Sequence, residues 1–360
     1  MVPENVLSIP RDKALLYKRS PMVKVGIVGA TGYTGIELLK ILLQHPQVQV
    51  TLLTSEKYAG KKIEDVFCFF QGQTDLVLEE LSAETVDKKC DLVFCCLPHQ
   101  SAMTPIPEWI KRGKKVIDLS ADFRFESAAV YEKWYGKHTA PDLLKKAVYG
   151  LSELYREKIK KASLIGNPGC YPTGALLSLV PLLQKKIIDP KTILIDSKSG
   201  VTGAGRSAVL ESLYSEVNES VHAYKVGKHR HMPEIEKELS IAAGEDVVIS
   251  FTPHLIPMDR GILSTIYARP LKPTDTKSIL TLLSDFYKDE AFVRILPEGV
   301  LPKTKDVRGT NNCFIGAVYD PRTKRLVLIA AIDNLMKGAS SQAVQNMNLM
   351  CGFEETTALK

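Results

Sequence analysis

The stretch SLIGNPGCYPTGALLSLV, residues 163–180, sets Cys170 between an Asn-Pro-Gly turn and an apolar run that reads as a helix. A thiol at a helix N-terminus faces the unpaired N–H groups of the first turn and the positive end of the helix dipole. Both favour the thiolate. That placement makes a nucleophile at neutral pH; the rival reading is a structural thiol under a turn. In YKVGKHRHMPEIEKEL, residues 224–239, His229 and His231 stand two apart, just before a helix predicted to start near Pro233. An imidazole there can shuttle a proton. The same pair could begin a metal site, but no further ligand cluster accompanies it, and no metal is expected.

A third element is GIVGATGYTGIELL, residues 26–39, a strand, a glycine-rich turn and a helix start. Gly29, Gly32 and Gly35 let the chain turn sharply and let backbone approach a pyrophosphate, with the helix N-terminus facing the anion. Thr31 and Thr34 add hydroxyls, and Tyr33 sits between them in the loop. Beyond the second strand, Glu56 could accept from a ribose 2′-hydroxyl, favouring NAD, whereas Ser55 and Lys57 could hold a 2′-phosphate. A nucleophilic cysteine beside a nicotinamide suits one chemistry above others. The cysteine takes an acyl group from an activated acid, and hydride reduces the thioester to an aldehyde. An activated acid carries phosphate. Arg124 in DLSADFRF and Arg206 in SGVTGAGR are candidate anchors, unless each is an ordinary surface ion pair.

These groups need a scaffold. VKVGIVGA, VQVTLLTS, CDLVFCCLP and KKVIDLSAD read as strands, with helical IELLKILLQHP and SAMTPIPEWIKRG between them. Such alternation implies a parallel, doubly wound sheet. After about residue 165 the texture changes to strands rich in β-branched residues, such as KTILIDSKSG and GILSTIYARP. This predicts an α+β domain with a mostly antiparallel sheet, and PHLIPMDRG reads as a tight reversal between two of its strands. The final RLVLIAAIDNLMKGASSQAVQNMNLM is a strand followed by a helix that packs back on the first domain.

Composition bounds the rest. The 360 residues suggest about two domains at roughly 150 residues each. Hydrophobic residues make up 45% and charged residues 24%, as in a globular protein with a full core. No run approaches the ~18 apolar residues of a membrane helix. The net charge of +6 is interleaved rather than concentrated, which argues against a nucleic-acid face. The seven cysteines, an odd number without metal-type spacing, read as free thiols in a reducing compartment.

From Met22 onward the chain resembles the N-acetyl-gamma-glutamyl-phosphate reductases, the arginine-pathway relatives of the aspartate-semialdehyde dehydrogenases. The segments that carry the resemblance are GATGYTG, DLSADFR, YGLSEL, NPGCYPT, SGVTGAGR, SEVNES, KHRHMPE, FTPHLIPMDRGILSTIY and AIDNLMKGASSQAVQNMN, in family order. The resemblance implies a leader over residues 1–21 and an NADP-binding Rossmann domain over 22–168, completed by 334–360. A catalytic and dimerisation domain follows over 169–333. The implied activity is NADPH-dependent reduction of N-acetyl-L-glutamyl 5-phosphate to the 5-semialdehyde and phosphate, through a thioester on Cys170. The resemblance also implies a cytoplasmic homodimer or homotetramer that acts on a small molecule, with neither nucleic acid nor membrane as partner.

The resemblance favours His231 as the acid/base, with His229 in reserve. The histidine just before MPEIEKEL matches the catalytic position of the aspartate-semialdehyde enzymes. By the same analogy Arg124 holds the substrate phosphate, with Asn167 and Arg206 as further substrate contacts. Gly200, Gly203 and Asn334 join the cofactor set. One departure stands out: many relatives carry Ser-Ser-Arg where this chain has Thr54-Ser55-Glu56, with Lys57 next. NADP is the expected cofactor and NAD the lesser one. Two other readings stand beside this one. The first is the lysine-pathway homologue, which reduces an aminoadipyl phosphate on a carrier protein. The second is a dinucleotide-sensing interaction protein without catalysis.

Overall fold

The computed structural model describes residues 22–360; the leader expected over residues 1–21 lies outside the described residues. The first sheet is built from β1 (Val23–Val28), β2 (Val48–Thr54), β3 (Leu78–Glu79), β4 (Leu92–Cys95), β5 (Lys115–Asp118), β6 (Val148–Tyr149) and β7 (Leu164–Gly166). Their order is β3-β2-β1-β4-β5-β7-β6, and every pairing is parallel. The central strands are apolar and buried, β4 at every position, as parallel strands covered on both faces must be. The order reverses between β1 and β4. Ligands of such sheets bind outside the carboxyl ends at that point. The glycine loop, residues 96–100, the 119–124 turn and Asn167–Cys170 all leave the sheet at this edge.

Helix Ser341–Cys351 returns to this sheet. Its Ala343, Val344 and Met347 share one core with Val25, Ile27 and Phe94. The polar face of the same helix is also buried and is held by side-chain bonds. Gln342 and Asn346 both donate to the Gly150 carbonyl.

The second sheet contains β8 (Leu194–Ser199), β9 (His222–Ala223), β10 (Ser250–Leu255), β11 (Ile262–Ala268), β12 (Val293–Ile295), β13 (Cys313–Asp320) and β14 (Arg325–Ile332). The order is β12-β13-β14-β11-β8-β10-β9. Four pairings are antiparallel and two are parallel. Helices Cys170–Gln184, Met232–Ala243 and Thr276–Phe286 bury Leu176, Leu239 and Leu283 against Ile195, Ile266 and Leu328. Strict alternation along β11 leaves its other face, with Leu263, Thr265 and Tyr267, half-buried.

PHLIPMDRG is not the tight reversal the sequence suggests. β10 and β11 both pair with β8, which lies between them. The connection therefore crosses the end of β8. There Val201 N donates to the Met258 carbonyl and Gly200 N to that of Gly261. This crossing supports the 200–206 loop from below.

Candidate active site

Helix Cys170–Gln184 begins at Gly169, which has no side-chain cap of its own. The Glu234 carboxylate supplies the missing contact: it accepts from Gly169 N (2.8 Å). Glu234 also accepts from Tyr149 Oη (2.7 Å) and from Arg124 Nη1 (3.0 Å). Both charges are buried, at 0% and 5% exposure. A buried pair of this kind is tolerated when each member is fully hydrogen-bonded, and here it ties the N-terminus of the Cys170 helix to the first sheet.

A cleft of ≈ 440 Å³ gathers the candidate chemistry. Cys170 and His231 line it together with Gly32, Tyr33 and Thr34 of the glycine loop, and Gly203 and Asn334 face it as well. The imidazole of His231 lies over Gly169: a Cβ on that glycine would come within 2.5 Å of Nε2. On the other side, a Cβ on Gly338 would come within 2.8 Å of the Cys170 Cβ. Gly338 belongs to a π-helical turn, Met336–Ser340, an irregularity common at functional sites.

His229 lines only the adjoining cavity of ≈ 590 Å³, whereas His231 lines both. The Nδ1 of His229 accepts from His231 N (3.1 Å), which orients the second histidine through the backbone. Burial pushes His229 down to about 4, with Lys225 and Arg230 adding to the effect. Burial, His229 and Arg124 hold His231 well below the usual histidine range. Both imidazoles are neutral at pH 7, so His231 keeps a lone pair, with its basicity lowered by these surroundings. Its buried Nδ1 has no partner. A larger hollow of ≈ 650 Å³ over Thr281 and Phe286 is remote from these groups.

Against the thiolate expected at the Cys170 helix N-terminus stands the desolvation of the thiol. Burial raises the thiol to about 11. Arg124 and the Tyr171 N–H pull it down, but desolvation is the larger effect. The first-turn effect that motivates the expectation is present and is outweighed.

The glycines fit a dinucleotide in different ways. Gly29 has φ +85°, and a Cβ there would meet the Cys96 carbonyl at 2.7 Å. At Gly35 a Cβ would meet the Gly29 carbonyl at 2.7 Å, so this glycine seats the helix on the turn. At Gly32 the nearest atom lies 3.7 Å away, and this glycine keeps the cleft mouth clear. The helix that follows has no acidic residue in its first turn, which suits an anion. Thr31 Oγ1 and Ser55 Oγ are hydrogen-bonded at 3.1 Å. Beyond them Glu56 and Lys57 are exposed, and the Lys57 ammonium lies 5.4 Å over the Tyr58 ring.

The other candidates divide between the cleft and its support. Gly200 does not line the cleft; a Cβ there would strike the Asp259 carbonyl at 2.5 Å, so its role is the chain crossing. Arg206 lines the cleft where it lies against the glycine loop. Its Nη1 donates to the Thr31 carbonyl (2.9 Å) and its guanidinium stacks 4.7 Å from the Phe67 ring centre. Arg124 reaches the cleft with three donor groups already engaged, to the carbonyls of Asn167 and Leu119 and to Glu234. Asn167 spends its amide on the Ala339 carbonyl and the Asn346 amide. Asn334 bridges Gly261 N and Thr202 Oγ1.

Sequence reasoning misses Glu234, which is hidden inside an amphipathic helix, and His99. His99 follows β4 and lines both cavities. Its signal was available: it stands at the carboxyl end of the strand beside β1, where such sheets bind ligands. Among the described residues no cluster of His, Cys, Asp and Glu could hold a metal ion, and no helix is long and apolar enough to cross a membrane.

Comparisons with known proteins match this arrangement. Residues 24–162 match the family described as semialdehyde dehydrogenase, NAD binding domain, and residues 170–334 match semialdehyde dehydrogenase, dimerisation domain. Aspartate semialdehyde dehydrogenase II from Vibrio cholerae, in a complex with ASA, superposes with a TM-score of 0.72 at 17% identity, over 92% of this chain and 99% of that one. The Candida albicans aspartate semialdehyde dehydrogenase with NADP superposes at 0.69, also at 17% identity, over 92% and 99%. These two show the shared fold. The chain is 58% identical over 339 residues to N-acetyl-gamma-glutamyl-phosphate reductase of Pelobacter propionicus, covering 94% of this chain and 98% of the relative. It is 56% identical to the protein of the same name from Citrifermentans bemidjiense, with the same coverage. The chain is therefore an enzyme, an oxidoreductase with a dinucleotide-binding domain, and it belongs to the N-acetyl-gamma-glutamyl-phosphate reductase family.

Proposed function

We propose that the chain reduces N-acetyl-L-glutamyl 5-phosphate to N-acetyl-L-glutamate 5-semialdehyde and inorganic phosphate with NADPH, as a step of arginine biosynthesis. The observation that carries this reading is the meeting of Cys170, His231 and the glycine loop in one cleft. Cys170 is the nucleophile, and His231 is the acid/base. The thiol is protonated at rest, so attack needs a base, and His231 is neutral and lies over the preceding residue. As sulfur bonds to the acyl carbon, its proton passes to the imidazole. The carbon–oxygen bond to phosphate breaks, and phosphate leaves with the bond electrons and that proton. A reduced nicotinamide dinucleotide, held through its pyrophosphate at Gly32–Thr34, would supply a hydride to the acyl carbon. The carbon–sulfur bond then breaks, aldehyde departs, and Cys170 recovers one proton from solvent.

We read residues 22–168 with 334–360 as the dinucleotide domain and 169–333 as the catalytic and dimerisation domain. The half-buried face of the second sheet supports pairing of two copies there. The seven free cysteines support a reducing, cytoplasmic setting.

The test is turnover with the acyl phosphate and NADPH, followed by nicotinamide absorbance. Cys170→Ala is expected to lose reduction by at least about a thousandfold while still binding NADPH. Turnover by that variant within about tenfold of wild type removes the thioester step. Activity with an aminoadipyl phosphate and none with the acetylglutamyl substrate would favour the lysine-pathway alternative.

A further inference from the structure

His99 is built into its position by its neighbours. The loop that carries it leaves β4 and turns through Gln100, which has φ +73°, a left-handed conformation uncommon for a residue with a side chain. Asp122 holds that turn. This buried carboxylate accepts from Gln100 N (2.9 Å), Ala102 N (3.2 Å) and Tyr131 Oη (2.7 Å). Strain kept in place by such bonds is a mark of functional loops. The ring itself is fixed as well. Its Nδ1 accepts from Ala121 N (3.0 Å), and its edge packs against Tyr135 at 5.4 Å between centroids.

An Nδ1 that accepts a backbone N–H cannot carry a proton. The neutral tautomer therefore puts the hydrogen on Nε2, and the ring offers one donor to the space it lines. That space is where the Cys170 cleft and the adjoining cavity join, because His99 and His231 line both. The loop leaves His99 open to this space, and its basicity is lowered by desolvation and by charges that are all cationic: Arg124, Arg230 and Lys225. The ring stays neutral, and the ground around it attracts an anion. Arg124 has three of its five N–H donors committed to protein partners, so it alone does not satisfy the oxygens of a phosphoryl group.

We infer that His99 is a substrate-binding residue, whose Nε2–H donates to a phosphoryl oxygen of the acyl phosphate and to the phosphate that leaves. This rests on the reaction proposed above. The substrate carries a second anion, its α-carboxylate, and the chemistry distinguishes the two. The phosphoryl group is joined through one oxygen to the carbon that Cys170 attacks. The carboxylate lies at the other end of the carbon chain.

The reverse reaction separates these anions into two substrates, inorganic phosphate and the semialdehyde. Steady-state kinetics with NADP are measured for wild type, His99→Leu and His99→Gln. A glutamine amide can place an N–H near the position of Nε2. His99→Leu is expected to raise KM for phosphate about tenfold or more, since a hydrogen bond to a charged group is lost. KM for the semialdehyde and for NADP should stay within about twofold. His99→Gln should recover a measurable part of the phosphate effect, which a merely structural role would not produce. An unchanged phosphate KM in an active leucine variant overturns the assignment, and so does a rise in semialdehyde KM instead. Equal losses in both variants with all KM values unchanged also overturn it. If wild type itself shows no phosphate-dependent turnover, the reaction reading fails instead, which is a different result from any of these.

Discussion

His231 Nε2 lies over Gly169 so closely that a Cβ on the glycine would stand 2.5 Å from it and 2.9 Å from two ring carbons. The backbone at Gly169, with φ −69° and ψ 156°, would accept alanine. The obstacle is therefore the imidazole. That ring is packed against His229 and Tyr171, so it must tilt away from Cys170. Gly169→Ala is expected to lower kcat on the order of 100-fold, the scale of a 1 Å misplacement of a reacting group. NADPH affinity should be kept, because the glycine loop is untouched. Titration of NADPH fluorescence alongside turnover checks both, and a kcat within about threefold of wild type would show that the imidazole is not required there.

Thiol reactivity gives a second expectation. With Cys170 raised to about 11, only about one part in ten thousand is thiolate at pH 7. Cys68 is exposed. Brief iodoacetamide treatment at pH 7 should label Cys68 before Cys170, and Cys170 labelling should climb steadily up to pH 9. Peptide mapping reads the order. Preferential labelling of Cys170 at pH 7 would restore the thiolate expected from its helix position.

A third concerns the π-helical turn beside Cys170. Lys337 and Glu153 form an ion pair of 2.6 Å with both side chains fully buried. Lys337 also donates to Gln345 Oε1 (2.8 Å). Burial alone would raise Glu153, but the Lys337 charge and hydrogen bonds outweigh it, so the carboxyl stays below its usual range. Lys337→Met leaves that carboxylate uncompensated and should cost about 3–5 kcal/mol in urea unfolding. The double variant with Glu153→Leu should recover much of this. A single-variant cost below about 1 kcal/mol would mean that water reaches the pair.

Acid should loosen the second unit through His229. Its folded value of about 4 lies below the ordinary 6.5, so the unfolded chain binds the proton first as pH falls. Stability from this group is complete above pH 6.5 and is lost progressively down to about 4, by about 3 kcal/mol in all. His229→Asn keeps an acceptor for His231 N and removes the titration. The stability gap between wild type and variant should therefore narrow from pH 7 to pH 4.5. A constant gap would mean that His229 titrates normally.

The site was legible where its chemistry is local. The glycine turn, Cys170 after its turn and the histidine pair before a helix each lie within one short segment, and the parallel order of the first sheet brings the glycine turn and the Cys170 turn to one edge. What depends on neighbours distant in sequence was not legible. Arg206 lies against Thr31 through a contact of 175 positions, which no spacing rule anticipates. The partner of β10 is β8 rather than β11, because a β8 strand already pairs with both. The raised thiol of Cys170 reflects local desolvation, which opposes the helix terminus visible in the sequence.

Cofactor preference turns on the end of β2. Glu56 is exposed there and repels a 2′-phosphate while accepting from a 2′-hydroxyl. Lys57 and the Ser55 hydroxyl act the other way. The structure adds Arg206, held over the glycine loop by the Thr31 carbonyl and the Phe67 ring, while Thr31 bonds to Ser55. Exposed pairs contribute ~1 kcal/mol or less each, so the wild-type preference for NADPH should be modest. Glu56→Arg removes a repulsion and adds a planar fork for phosphate, which should raise the ratio of kcat/KM for NADPH over NADH by about tenfold. Arg206→Ala separates two roles. If its guanidinium meets the 2′-phosphate, the ratio falls; if it meets the pyrophosphate, both cofactors weaken together and the ratio holds. The first outcome is expected, because Arg206 is tied to the same Thr31–Ser55 corner. Should wild type prefer NADH while Glu56→Arg leaves the ratio unchanged, Glu56 does not face the ribose, and the 2′-phosphate is recognised elsewhere or not at all.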